Sequence, residues 1–142
     1  MNSKIQQAVL GGIVATAVMT MVMFVAPLMG MPKMNPSAML AGMMGFPIII
    51  GWVMHFMVGV IFALVYVFLF AGIFSKISSK IAKGALFGLV VFLFAQVMMA
   101  VIGAVMGGMP SPEGSMTLVI LGGIMGHVVY GIVVVLFVPN KE

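Results

Sequence analysis

Four apolar runs, at roughly Gln6–Gly30, Pro47–Ile73, Lys83–Gly107 and Ser115–Pro139, decide what this chain can fold into. Each exceeds the ~20 residues that an α-helix needs to cross a bilayer core. None alternates with period two, and each is about twice the length of a barrel strand, which argues against a β-barrel. The first run is also longer than the ~7–15 apolar residues of a signal-peptide core and reads as a retained helix. Composition agrees: 64% of residues are hydrophobic and 6% charged, where a soluble domain carries about 25% charged residues. The expected fold is all-α, a polytopic membrane four-helix bundle forming a single membrane domain over residues 1–142.

The few charges bear on orientation. Of the six lysines, Lys4, Lys76, Lys80, Lys83 and Lys141 fall on one side of a four-crossing chain, and only Lys33 falls on the other, with Glu113. The positive-inside rule then places both termini and the 72–83 loop in the cytoplasm. A net charge of +4 built this way reports membrane orientation and gives no reason to expect nucleic acid. In the first outer loop, Asn35 followed by Pro36 reads as an N-cap with proline at the first helical position. A short interfacial helix is expected there.

The chain also reads as two parallel repeats of a helical hairpin, residues 6–73 and 83–139. Gly51-x3-His55-x3-Gly59 matches Gly123-x3-His127-x3-Gly131, using both histidines of the protein. Gly12 pairs with Gly88, Thr20 with Gln96, and Gly30-Met31-Pro32 with Gly108-Met109-Pro110. With two crossings per half, the pseudo-symmetry axis runs along the membrane normal. His55 and His127 then lie ~12–18 Å below the outer ends of their helices. Thr20 and Gln96 rise to a comparable level, so one polar layer of His55, His127, Thr20 and Gln96 is expected.

Two readings of that layer stand side by side. Gly51, Gly59, Gly123 and Gly131 share the helical faces of the histidines and leave space beside each imidazole. A b-type haem held by His55 and His127 would use that space, with Thr20 and Gln96 hydrogen-bonding the ligands. Alternatively, small residues beside a polar one are how membrane helices pack and bond to each other. The 18 methionines, with Met29, Met31, Met34, Met39, Met43 and Met44 in the outer loop, raise Cu(I), which thioethers favour. Their spread over all four helices makes adaptable packing the simpler account, and copper is not expected. Trp52 is read as an anchor near the outer end, and Tyr66 as a donor to headgroups or a neighbouring helix.

The chain has no cysteine and no aspartate, and its two glutamates, Glu113 and Glu142, sit in a loop and at the C-terminus. Thiolate metal sites, disulfides and carboxylate relays are thereby removed. The absence of membrane charges argues against a transporter or channel module. No nucleophile–base set or phosphate loop is present, so the chain is not read as an enzyme.

The pattern Gly51-Trp52-x2-His55-x3-Gly59-x3-Ala63, with Gly126-His127-x2-Tyr130-Gly131, resembles a family of small bacterial four-helix membrane proteins of unknown function. The resemblance spans nearly the whole chain. It implies the fold and a bacterial inner-membrane setting, and supplies no activity. The expected role is a non-catalytic subunit of a larger, respiratory-type membrane complex, in lipid and beside other membrane subunits. Haem b would serve electron transfer in its sharper form. A purely structural subunit without cofactor is the alternative, and a small transporter or channel module the rival.

Overall fold

In the computed structural model, which describes residues 3–107 and 114–138, each apolar run is a helix long enough to cross a bilayer. Helix α1 (Ser3–Val25) continues as a 3-10 turn over Ala26–Met29, and α2 is short (Pro36–Met44). Helix α3 (Ile48–Val65) runs on through a π-helical turn (Tyr66–Phe70) into α4 (Ala71–Ile73). Helices α5 (Lys80–Met106) and α6 (Met116–Phe137) complete the chain. The protein is a multi-pass helical membrane protein. The second outer turn, with Gly108, Met109, Pro110 and Glu113, lies outside the described residues, as do Pro139 and Lys141.

Local chemistry sets the boundaries. Pro27 falls in the 3-10 turn that ends the first rod, where its missing N–H interrupts the α-helical ladder. The side chain of Asn35 accepts from the Ala38 N–H at 3.0 Å, with Pro36 opening α2 as expected. Gly45, at φ 68°, ends α2 in the left-handed conformation that glycine supports. The chain then folds back, so that α2 lies along α3 and touches α5. At the other end Ser79 Oγ accepts from the Ala82 N–H at 3.2 Å. That cap starts α5 at Lys80, so Lys83 lies inside the helix and is 5% exposed, rather than in the loop.

The rods form a ring in the order α1, α3, α5, α6. Three of its sides, α1–α3, α5–α6 and α6–α1, are closely packed. The fourth, α3–α5, is bridged by aromatic rings: Phe62–Phe94 at 5.3 Å, Tyr66–Phe87 at 4.9 Å and Phe70–Phe87 at 5.4 Å between centroids. The cause is in the side chains. On α6, Gly122 and Gly126 leave room for Met31, Met34, Met19 and Met23. At the corresponding places on α3 stand Ile50 and Met54, so the α3–α5 side has no matching pair of glycines. Helices α3 and α6, which carry the histidines, are therefore diagonal across the ring.

The two hairpins cross in the same way, but in a register one helical turn from the one expected. A Cβ on Gly12 would lie 2.8 Å from Val60 Cα and 3.0 Å from the Gly59 carbonyl oxygen. In the second hairpin it is Gly84, not Gly88, that faces Ile132 and the Gly131 carbonyl, with a Cβ 2.9 Å from that oxygen. Likewise Gly59 abuts Gly12 and Thr16, whereas Gly131 abuts Gly84 and Gly88. The offset that relates His55 to His127, 72 residues, also relates Gly12 to Gly84, Thr16 to Gly88 and Thr20 to Phe92. The pairing of Thr20 with Gln96 is thus replaced by Thr20 with Phe92.

Candidate functional site

Inside the ring the polar groups of the histidine layer can be assigned atom by atom. His55 is buried on α3, and its Nε2 lies 3.0 Å from Thr20 Oγ1. A threonine hydroxyl has one proton, and Thr20 donates it to the Thr16 carbonyl at 2.7 Å. Thr20 Oγ1 therefore accepts from His55 Nε2–H, and in the neutral ring His55 Nδ1 keeps a free lone pair. His127 Nδ1 lies 2.8 Å from the Gly123 carbonyl oxygen. A carbonyl only accepts, so the proton is on Nδ1 and the free lone pair of His127 is on Nε2.

The remaining hydroxyls are committed. Thr16 Oγ1 donates to the Gly12 carbonyl at 2.7 Å, a bond back along its own helix. Tyr130 donates across the ring from α6 to the Gly59 carbonyl of α3. This diagonal bond ties the two histidine helices to each other. His127 precedes Tyr130 by three residues and His55 precedes Gly59 by four, so the bond lies about one helical turn along from each histidine.

Between them lies a cavity of about 40 Å³ reached by all four long helices. Thr16 and Met19 of α1, His55 and Phe62 of α3, Val91 of α5, and His127 and Tyr130 of α6 line it. Trp52 packs beside His55, 6.2 Å from Phe24 and 6.4 Å from His55 between ring centroids. Phe92 packs edge-on to His127 at 5.5 Å, in the place that Thr20 takes beside His55.

Of the expected polar layer, His55, His127 and Thr20 come together and Gln96 does not. Gln96 is exposed on the outward side of α5, flanked by exposed Leu93, Val97 and Ala100, because the one-turn shift gives its place to Phe92. The four glycines also serve another purpose than the one expected. A Cβ on Gly51 would overlap the Ser37 carbonyl of α2, and one on Gly59 would overlap Thr16 Oγ1. On Gly123 it would meet Phe92, and on Gly131 the Gly84 carbonyl. Each of these four glycine positions is filled by a neighbouring element.

These residues do not fit a haem. A pocket for a drug-sized ligand takes about 300–1,000 Å³, against about 40 Å³ here, and the space that the glycines were expected to leave is occupied by backbone at Gly51 and Gly131 and by the Thr16 and Phe92 side chains at Gly59 and Gly123. Tyr66 also departs from expectation. It is 1% exposed, its ring tilted against Phe87, and its hydroxyl is buried without a hydrogen-bond partner.

Thr16, Met19 and Tyr130 are site residues that sequence reasoning missed. For Thr16 the signal was its spacing of four from Thr20 on the face of Gly12. For Tyr130 it was its place in the motif Gly126-His127-x2-Tyr130-Gly131, three residues after the histidine.

A family model described as a family of unknown function (DUF6789) matches residues 2–138. The chain belongs to that family. No curated protein and no solved structure matches it.

Proposed function

We propose that this protein is a non-catalytic subunit of a larger assembly in the bacterial inner membrane, with both termini cytoplasmic and the outward face of α5 against a partner helix. The observation that carries this reading is the exposure of Gln96. It stands 16 residues into a helix of 27, so it lies ~24 Å from one end and ~15 Å from the other. A primary amide at that depth has no water to bond. Polar side chains in membrane helices are satisfied by other helices, and the flanking Leu93, Val97 and Ala100 form an apolar surround for such a contact. Gln96 is not needed to hold this bundle together, since it faces away from the cavity and the core.

The test is a photo-crosslinking residue at position 96, in cells at native expression, followed by mass spectrometry. A heterologous membrane protein should be captured, and Gln96→Leu should weaken the native complex. Interhelical polar contacts of this kind contribute ~0.6 to 1.7 kcal/mol, so a loss of about 3- to 20-fold in association is expected. Migration of the solubilised chain as a free monomer, with lipid alone crosslinked at position 96, would overturn the reading.

A further inference from the structure

The cavity between the histidines is left with electron pairs and no protons to offer. Thr16, Thr20 and Tyr130 have each donated their only hydroxyl proton within the protein. The ring N–H groups of His55 and His127 are committed to Thr20 and Gly123. Among the side chains that line the cavity, the donor atoms left uncommitted are His55 Nδ1, His127 Nε2 and the thioether of Met19. An anion or a simple acceptor has nothing to bind there. The occupant must be a Lewis acid or a hydrogen-bond donor.

Size and charge narrow it further. About 40 Å³ holds a few waters, each needing about 10–15 Å³, or a single ion in their place. An aromatic ring is too large, since cavities that admit benzene measure about 150 Å³. The hard divalent cations need carboxylate or carbonyl oxygens, and zinc sites use three or four protein ligands. Among the described residues there is no aspartate or glutamate, and no cluster of three or more His, Asp or Glu side chains. Two neutral imidazoles and a thioether are instead a soft donor set, which suits Cu(I) and its analogue Ag(I). A monovalent ion also brings the smallest charge into a membrane interior that offers no counter-charge.

From this we infer that His55 Nδ1, His127 Nε2 and Met19 Sδ form a binding site for a soft monovalent metal cation at the centre of the bundle. The site is separate from the outer-loop methionines. Met31 and Met34 pack against Gly122, and Met43 is buried. It is also independent of α5's outward face, so it stands or falls apart from the subunit reading.

The full chain in detergent, titrated with Cu(I) against a chromophoric chelator under anaerobic conditions, should retain one equivalent. His127→Ala and Met19→Leu should each weaken retention at least 10-fold, while Met39→Leu and Met44→Leu, at exposed outer positions, should leave it unchanged. A second measurement needs no variant. In ¹⁵N-labelled wild-type protein, Ag(I) should shift His55 Nδ1 and His127 Nε2 and leave His55 Nε2 and His127 Nδ1 as N–H nitrogens. Unshifted nitrogens in both rings would overturn the site, as would retention that survives His127→Ala but is lost with the outer methionines.

Discussion

Replacing Gly84 with alanine is the sharpest test of how the two hairpins cross. The added Cβ would lie 2.8 Å from Ile132 N and 2.9 Å from the Gly131 carbonyl oxygen, and closer still to Ile132 Cα. All three are backbone atoms of α6, so no side chain can rotate away. Ordinary contact begins at 3.4 Å, so α5 and α6 must separate by at least roughly 0.6 Å. Gaps of 0.5–1 Å forfeit a quarter to a half of the dispersion attraction along the affected contact. In a bilayer that attraction is a main force between helices, because lipid tails solvate apolar faces as well as protein does. Overpacking of this kind costs about 1–3 kcal/mol, and a backbone clash belongs at the upper end, near 2–3 kcal/mol.

The assay is equilibrium unfolding in mixed micelles, followed by the fluorescence of Trp52, the single tryptophan. Gly72→Ala and Gly42→Ala are the controls, since a Cβ at either meets nothing within 4 Å. Both should stay within about 0.5 kcal/mol of wild type, as surface changes do. Gly88→Ala should behave like Gly84→Ala, because its Cβ would overlap the His127 carbonyl. If Gly84→Ala proved no more disruptive than Gly72→Ala, the close crossing at Gly84 and the register built on it would be refuted.

The two buried tyrosines should respond in opposite directions. Tyr66→Phe removes a hydroxyl that has no partner and should be neutral or stabilising by up to about 1 kcal/mol. Tyr130→Phe removes the diagonal bond to Gly59 and should cost ~0.6 to 1.7 kcal/mol. The same micelle unfolding series measures both, and equal effects would contradict the hydrogen-bond assignment. Thr20→Val keeps the shape but deprives His55 Nε2–H of its acceptor. In ¹⁵N spectra His55 should then lose its pure Nε2–H tautomer while His127 is unchanged, and an unaltered His55 would show that Thr20 does not set its proton.

The four helices were legible because their signal is long and redundant: some twenty apolar residues in a row leave few alternatives. The Asn35–Pro36 start of α2 was legible because a cap is a local event. The site was only half legible. His55, His127 and Thr20 could be assembled from spacing, but matching small residues cannot distinguish Gly84 from Gly88, since both are glycines one turn apart on the same face. Choosing Gly88 carried Gln96 into the layer, and the structure, choosing Gly84, put Phe92 there. The role of the glycines beside the histidines failed for a related reason. A missing side chain marks a close approach without saying what approaches.

The divergence of the two halves accounts for the cavity. In a strict two-fold bundle, α3 would approach α5 as closely as α6 approaches α1. Gly126 lets α6 close on Met19 and Met23 of α1, and Gly122 on Met31 and Met34 of the loop that follows, while α3 carries Ile50 and Met54 at the matching positions. Large aromatic side chains then span the wider side without filling it. The insertion in the first half belongs to the same departure. Pro27 ends α1 where α5 continues, and the chain so released forms α2, which packs on α3 and reaches α5. One imidazole is turned by Thr20 and the other by its own helix at Gly123. A symmetric pair would have left the same nitrogen free on both rings. This pair leaves Nδ1 free on one and Nε2 on the other, and that is the feature by which an occupied site would be told from two histidines that merely hold helices together.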